Sequence, residues 1–559
     1  MAFIRVACSI TTQGEERMNN AIYKINLPAN EPIYGYMKGS KEQIALTAEL
    51  KRQSETVIEI PLIINGKEVK TGKICEFTMP CDHKHVLARY HMAGEKEVQM
   101  AIDAACAAQK VWENIPWQDR AAVALKIARL IAEKYRYQIN AATMLGQGKN
   151  IFQAEIDAAC ETVDFLRFNA SYMSQIYSEQ PLSDASQMNR LEYRPLEGFI
   201  FAVSPFNFTA IASNLSMSPA IMGNTVVWKP ATTAILSNYY LMKIYQEAGL
   251  PDGVINFLPG SGALIGKVVF NDPRLAGIHF TGSNSTFNNL WNEVAKNLPN
   301  YRSYPKLVGE TGGKDFIVVH ESADMATAAT GIVRAGYEYQ GQKCSACSRV
   351  YAPASKWPDL KNRIMNMMSE IKMGDVREYN NFVNAVIDKN SYDSIMGYIE
   401  KAKADKAAKI LSGGKGNCEK GYFIEPTLIE TTDPNFLTMR EEIFGPVVTV
   451  YVYEDSKYLE TLELCDNTSP YALTGAIFAV DRVAVQQACD KLKYSAGNFY
   501  INDKCSGAVV GMQPFGGARG SGTNDKAGSV LNLLRWISPR TIKETYVAPT
   551  SLLYPYMNE

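Results

Sequence analysis

The chain has 559 residues, 46% of them hydrophobic, which is too much for one ordinary core and calls for two large domains with an appendage. Lysines and arginines (57) nearly balance the acids (58), so the net charge of -1 gives no footprint of a nucleic-acid or membrane-surface partner. No run of about 18 apolar residues occurs, so no membrane-spanning helix is expected.

The opening stretch, residues 1–17, has neither the apolar core of a secretory signal nor the Arg-rich amphipathic pattern of a transit peptide. Met18 offers a second start. Eleven cysteines, an odd number in a large chain, argue against a disulfide-stapled module and for a reducing compartment. The cytoplasm is expected first and the mitochondrial matrix second. Cys344 and Cys347 are the one close pair. No second pair or histidine cluster joins them, so no metal is expected.

Residues 1–60 read as an N-terminal extension. Two amphipathic stretches, 97–112 and 118–135, are rich in Ala, Lys and Glu and predict helices. From residue 198 the rhythm changes. Apolar runs at 198–204, 225–229, 254–258 and 276–281 alternate with segments long enough for helices, the pattern of a parallel sheet covered on both faces. The last helix carries Phe287, Leu290, Trp291, Val294 and Leu298 at helical spacing, with Ser283 or a neighbour as its cap. A second α/β block begins near Thr311, with strands at 316–320, 349–352, 447–453 and 475–480 and a helix through 323–339. Two such units face each other across a cleft. The tail at 541–547 reads as an exposed strand, an edge that invites pairing with another subunit.

Several short motifs carry chemistry. Gly260-Ser261-Gly262 with Gly266 looks like a dinucleotide fingerprint, but its third glycine comes one residue late. Phe280-Thr281-Gly282-Ser283 is a second strand-to-helix junction, whose free N–H groups suit a pyrophosphate; an ordinary serine cap is the plainer reading. Lys229, in Trp228-Lys229-Pro230, ends a strand where α/β sheets bind ligands, although alone it reads more readily as a solvated loop lysine. Cys344, in Gly341-Gln342-Lys343-Cys344, is a nucleophile if ionised and a structural cysteine otherwise. No histidine lies nearby in sequence to act as its base. Glu310, set among glycines, can take that task if burial raises its pKa. Asn207, in Pro205-Phe206-Asn207-Phe208, ends the first strand of the sheet and offers an amide to a developing oxyanion.

Taken together, these motifs with Glu441-Glu442-Ile443-Phe444-Gly445-Pro446 and Pro514-Phe515-Gly516-Gly517 resemble the aldehyde dehydrogenase superfamily, in its order, over roughly residues 60–550. Gln153-Ala154-Glu155-Ile156-Asp157, the stretch 341–349, 498–504 and 516–526 are similar to its delta-1-pyrroline-5-carboxylate dehydrogenase branch, in the stand-alone form. The resemblance implies a Rossmann-type dinucleotide-binding domain (61–181 and 200–312), an α/β catalytic domain (313–526) and a β oligomerisation arm (182–199 and 541–559). It implies oxidation of L-glutamate γ-semialdehyde to glutamate through a thioester, with Cys344 as nucleophile, Glu310 as base and Asn207 on the oxyanion. It places Lys229, Gly282, Ser283, Asn284, Ser285, Thr286, Glu442 and Phe444 on the cofactor. It places Ser204, Phe208, Glu161, Ser345, Gly507, Ala508 and Phe515 around the substrate.

Many relatives that select NAD carry a glutamate three residues after the lysine. Here that position is Thr232, which does not repel a 2′-phosphate, so NAD is implied and NADP is left open. Relatives often have serine where this chain has Ala508, removing one hydroxyl donor to a substrate carboxylate. The alternative function is a dehydrogenase of another aliphatic or aromatic aldehyde, because fold alone does not fix substrate. A non-catalytic scaffold, and a Cys344–Cys347 redox pair, are the remaining rivals. The implied partners are a small-molecule substrate and a second copy of the chain, in a homodimer or larger assembly.

Overall fold

The computed structural model describes residues 22–557, so the opening stretch and Met18 lie outside the described residues. Both predicted N-terminal helices form, as Glu95–Trp112 and Trp117–Leu130. The first buries Val98, Ala101, Ile102, Ala105 and Trp112, the one stripe that 3.6-residue periodicity turns inward.

A seven-stranded sheet runs in the order Lys306–Glu310, Leu275–Thr281, Phe199–Val203, Thr225–Lys229, Ile255–Phe257, Leu62–Ile64, Lys67–Val69. Its first five strands are mutually parallel and the last two antiparallel. Every residue of Leu275–Thr281 is buried, as expected of a strand covered on both faces. A second seven-stranded sheet runs Ala408–Ser412, Thr427–Thr431, Val447–Tyr453, Cys347–Pro353, Asp315–Val319, Thr474–Phe478, Asn498–Ile501, parallel except for its first strand. The chain passes from one sheet to the other in the four residues between Glu310 and Asp315. That crossing places the strand ends of both sheets at one cleft.

The tail strand Ser538–Thr545 pairs antiparallel with Gln187–Arg194, in the register Thr541 opposite Leu191. It begins three residues earlier than the sequence suggests. The ribbon stands out from the sheets and is mostly exposed. Two other details differ from expectation. The stretch before residue 61 is more than an appendage: helix Lys41–Ser54 buries Leu46 and Leu50 in the main core, and Ile58–Ile60 pairs with Asp82–His91. Trp291 and Leu298, counted on the apolar face of their helix, are 47% and 39% exposed, because the helix buries only Phe287, Leu290 and Val294. Among the described residues no helix is long and apolar enough to cross a membrane, and no group of three potential ligands could hold a metal ion.

Candidate active site

Cys344 sits in a turn between helix Met325–Tyr337, with its short 3-10 extension Glu338–Gly341, and strand Cys347–Pro353. The approach to it is strained. Tyr339 and Gln340 both adopt left-handed backbone, at φ 54° and 55°, which costs non-glycine residues energy and persists only when the surroundings impose it. The surroundings are visible. Tyr339 donates its hydroxyl to Gln147 O (3.0 Å), and Gln340 Nε2 donates to Gly148 O (2.9 Å) and Ala385 O (2.8 Å). Gly341 has φ 66°, and a Cβ there would stand 2.1 Å from Gly445 O, so no other residue fits.

Asn207 reaches this turn from the first sheet. It is buried, and its Nδ2 donates to the backbone oxygen of Gln342 (3.1 Å), two residues before the cysteine. A side-chain amide has two N–H bonds, so one holds the loop and the other remains for an oxyanion on the Cys344 adduct. Such a donor is worth about 3 kcal/mol of barrier. Glu310 ends strand Lys306–Glu310, and its Oε2 is buried without a hydrogen-bond partner among the described residues. Burial pushes its carboxyl well above the ordinary range, against the pull of the Gly517 N–H and of Lys526. A carboxyl shifted upward in this way favours its protonated form more than an ordinary glutamate does, and once ionised it is a stronger base.

Cys344 is half-buried, and burial with Asp315, Glu310, Glu442 and Glu161 around it pushes its thiol well above the usual thiol range. Burial also raises Asp315 to about 8, Glu161 to about 8 and Glu442 to about 7. The resting site thus holds a thiol among acids whose burial favours their protonated forms. In the protein without cofactor, alkylation of Cys344 by iodoacetamide is expected to be slow at neutral pH and to accelerate as pH rises past the ordinary thiol range. Peptide mass spectrometry reads the rate; a fast reaction that levels off below about pH 8 contradicts this account.

Glu161 has a solvated-face alternative in the sequence, and the structure turns it inward. Wider π-helical turns at Glu155–Glu161 replace the α-helix there. They bring Glu155 onto Arg136 and Asn140, and Asp157 onto Lys149 (2.7 Å). Asp157 also accepts from the N–H groups of Thr209 (3.0 Å) and Ala210 (2.8 Å), capping the helix that follows Asn207. Lys149 is fully buried, with its ammonium 3.9 Å over the Phe208 ring and 4.5 Å over Tyr339. Lys149 and Asp157 are missed by sequence reasoning. Asp157 lies in the motif 153–157, but Lys149 lies outside it, in the connection before the helix, so nothing local in the sequence pairs the two.

The dinucleotide residues lie along the ends of the first sheet. Ser283 caps helix Asn284–Asn297, its Oγ accepting from Thr286 N (3.2 Å), and Gly282, Asn284 and Ser285 surround that exposed helix start. A Cβ on Gly282 would lie 2.6 Å from the Phe280 ring. Lys229 stands two strands away, roughly 10 Å at ordinary strand spacing. Its ammonium has no hydrogen bond or ion pair among the described residues, and burial holds it below its usual range. An unengaged cation beside a free helix N-terminus fits a ribose and a pyrophosphate. On the opposite sheet, Glu442 Oε1 accepts from Gly313 N (3.0 Å), and Phe444 takes left-handed backbone (φ 57°) with its ring edge-on to Phe206.

Ser204 Oγ accepts from Trp228 Nε1 (3.0 Å), and its N–H donates to Lys229 O, which ties it to the strand that carries Lys229. The pull comes from strand pairing, since Ser204 follows directly on Val203, opposite Lys229. Ser345 is buried beside the nucleophile, and Cys505 Sγ donates to its backbone oxygen (3.6 Å). That contact brings the loop of Gly507 and Ala508 against the nucleophile turn. Phe515 is fixed by paired backbone bonds to Ala527, next to Gly516, where a Cβ would lie 3.0 Å from Glu310.

The sequence pattern of the aldehyde dehydrogenase family matches residues 68–542. The chain is 53% identical to the mitochondrial delta-1-pyrroline-5-carboxylate dehydrogenase of Dictyostelium discoideum over 536 residues, 95% of this chain and 96% of the relative. It is 48% identical to the protein of that name from Homo sapiens, over 95% of this chain and 94% of the relative. The crystal structure of the delta-pyrroline-5-carboxylate dehydrogenase from Mycobacterium tuberculosis bound with NAD superposes with a TM-score of 0.93 at 46% identity, covering 96% of this chain and 100% of that one. The chain belongs to the aldehyde dehydrogenase family.

Proposed function

We propose that this protein oxidises L-glutamate γ-semialdehyde, the hydrated and opened form of delta-1-pyrroline-5-carboxylate, to L-glutamate with NAD. The observation that carries the reading is the half-buried Cys344 thiol, with Asn207 fixed on its loop and beside it the Glu310 carboxyl, one oxygen of which has no hydrogen-bond partner among the described residues. The names of the relatives supply the substrate, and the NAD in the Mycobacterium tuberculosis structure supplies the cofactor.

The residues act in order. The Cys344 sulfur, once deprotonated, bonds to the aldehyde carbon, and the free N–H of Asn207 holds the oxygen that gains charge. NAD, when bound, supplies the hydride acceptor that turns this adduct into a thioester. Glu310 takes a proton from water as the water oxygen bonds to the thioester carbon. The carbon–sulfur bond then breaks, glutamate leaves, and Cys344 is restored. Lys229 and the helix start at Gly282–Thr286 would hold ribose and pyrophosphate, and Glu442 with Phe444 the nicotinamide end.

The oligomer and compartment belong to the same proposal. The ribbon of Gln187–Arg194 with Ser538–Thr545, followed by exposed Val547, Leu552 and Leu553, supports at least a dimer through this arm. Ten free cysteines among the described residues support a reducing compartment, the cytoplasm before the mitochondrial matrix.

The test compares glutamate semialdehyde with pentanal, an uncharged aldehyde of the same chain length. The carboxylated substrate is expected to have a kcat/KM higher on the order of a hundredfold. Equal values would support the alternative, a dehydrogenase of simple aldehydes.

A further inference from the structure

Beside the nucleophile turn lies an ion triad that the mechanism above does not use. Glu338, in the 3-10 extension before Cys344, is buried, and its Oε2 accepts from Lys343 (2.9 Å) and Lys504 (2.8 Å). Two ammonium groups share one carboxylate, leaving one positive charge in excess. Lys343 is buried at 3% exposure, whereas Lys504 is 23% exposed and so is the member that reaches open space.

Lys504 also opens the loop of Gly507 and Ala508. Gly507 has φ 88°, and a Cβ built on it would meet Lys504 Cε at 3.5 Å and Nζ at 3.6 Å. The ammonium therefore lies directly against the loop whose backbone would take a substrate carboxylate. The next residue, Cys505, ties the same loop to Ser345. The other cations near Cys344 are paired or sealed from solvent. Lys149 is neutralised by Asp157 at 2.7 Å. Lys314 Nζ has no hydrogen-bond partner among the described residues, but Lys314 is 2% exposed and buried among Glu442, Asp315 and Arg349. The acids Asp315, Glu310, Glu442 and Glu161 give an incoming anion no attraction.

We infer that Lys504 determines specificity for a carboxylate-bearing aldehyde: held by Glu338 between the nucleophile turn and the Gly507 loop, its ammonium supplies the charge that draws the substrate carboxylate onto that loop. The inference rests on the proposed function, since it requires a substrate with a carboxylate remote from the aldehyde. It also supplies a cation at a site where Ala508 offers no hydroxyl.

Full-length wild type, Lys504→Gln, Lys504→Met and Lys504→Arg are assayed with NAD against glutamate semialdehyde and pentanal. In the Gln and Met variants the KM for glutamate semialdehyde is expected to rise about tenfold, with kcat within about twofold. The KM for NAD and both constants for pentanal stay at wild-type values, and Lys504→Arg restores the semialdehyde KM. An unchanged semialdehyde KM overturns the inference. So do equal losses with both aldehydes, which would make Lys504 a structural tether only. A mutation-free arm follows the wild-type KM against ionic strength: a rise for glutamate semialdehyde alone supports the charge, and a flat response overturns it. If the wild type favours pentanal, the substrate reading falls and takes the inference with it; if only the variants behave unlike expectation, the inference falls alone.

Discussion

Cys344→Ala is expected to lower kcat for glutamate semialdehyde on the order of 10^4-fold or more, while shifting the thermal midpoint by no more than about 2 °C. The kinetic loss follows because the sulfur forms the bond through which both halves of the reaction run. The small thermal effect follows because the thiol is half-buried and no hydrogen bond to it is present among the described residues. Cys347→Ser is the control. Cys347 is buried, with Sγ against Arg349 O (3.7 Å) and beside Cys505, and it is expected to retain turnover within about tenfold of wild type. Matching losses in the two variants, measured as NADH absorbance, would favour a redox pair over a single nucleophile.

Glu310→Gln is expected to separate the two halves of the reaction. NADH should form in a burst of about one per site, followed by a steady rate about 10^3-fold below wild type, because thioester hydrolysis has lost its base. Stopped-flow absorbance reads both phases. The pH profile of the wild type tests the same carboxyl. Burial raises its pKa, so the protonated, inactive form persists to higher pH than for an ordinary glutamate. Steady turnover is expected to climb with pH as Glu310 ionises, and the glutamine variant is expected to lose that limb. A variant that loses the burst as well would place Glu310 in the first half, as the base for the thiol.

The α/β alternation and most strand positions were legible in the sequence because apolar runs in a parallel sheet are buried on both faces and stand out from their surroundings. The cap at Ser283 was legible for a local reason: its partner, Thr286, lies one turn away. The network around the nucleophile was not. Lys149 and Asp157 meet through a π-helical turn that no apolar periodicity announces. Lys504 and Glu338 are 166 residues apart, so their pairing is a property of the tertiary fold. The same limit explains Glu161, whose helical pattern gives no sign that its neighbours exclude water, and Ser204, which strand pairing assigns to Lys229. The resemblance reached Cys344, Glu310 and Asn207, and the structure adds the physical setting: strained backbone, one spare amide hydrogen and a carboxyl with one oxygen unpartnered among the described residues.

The most direct test asks where the acyl group resides. Glu310→Gln protein, mixed with NAD and glutamate semialdehyde, is acid-quenched within the burst and digested for peptide mass spectrometry. A glutamyl group on the peptide containing Cys344, and on no other cysteine, is the predicted result. NADH formation at burst amplitude with Cys344 unmodified, or with the glutamyl group on Cys347, would contradict the account.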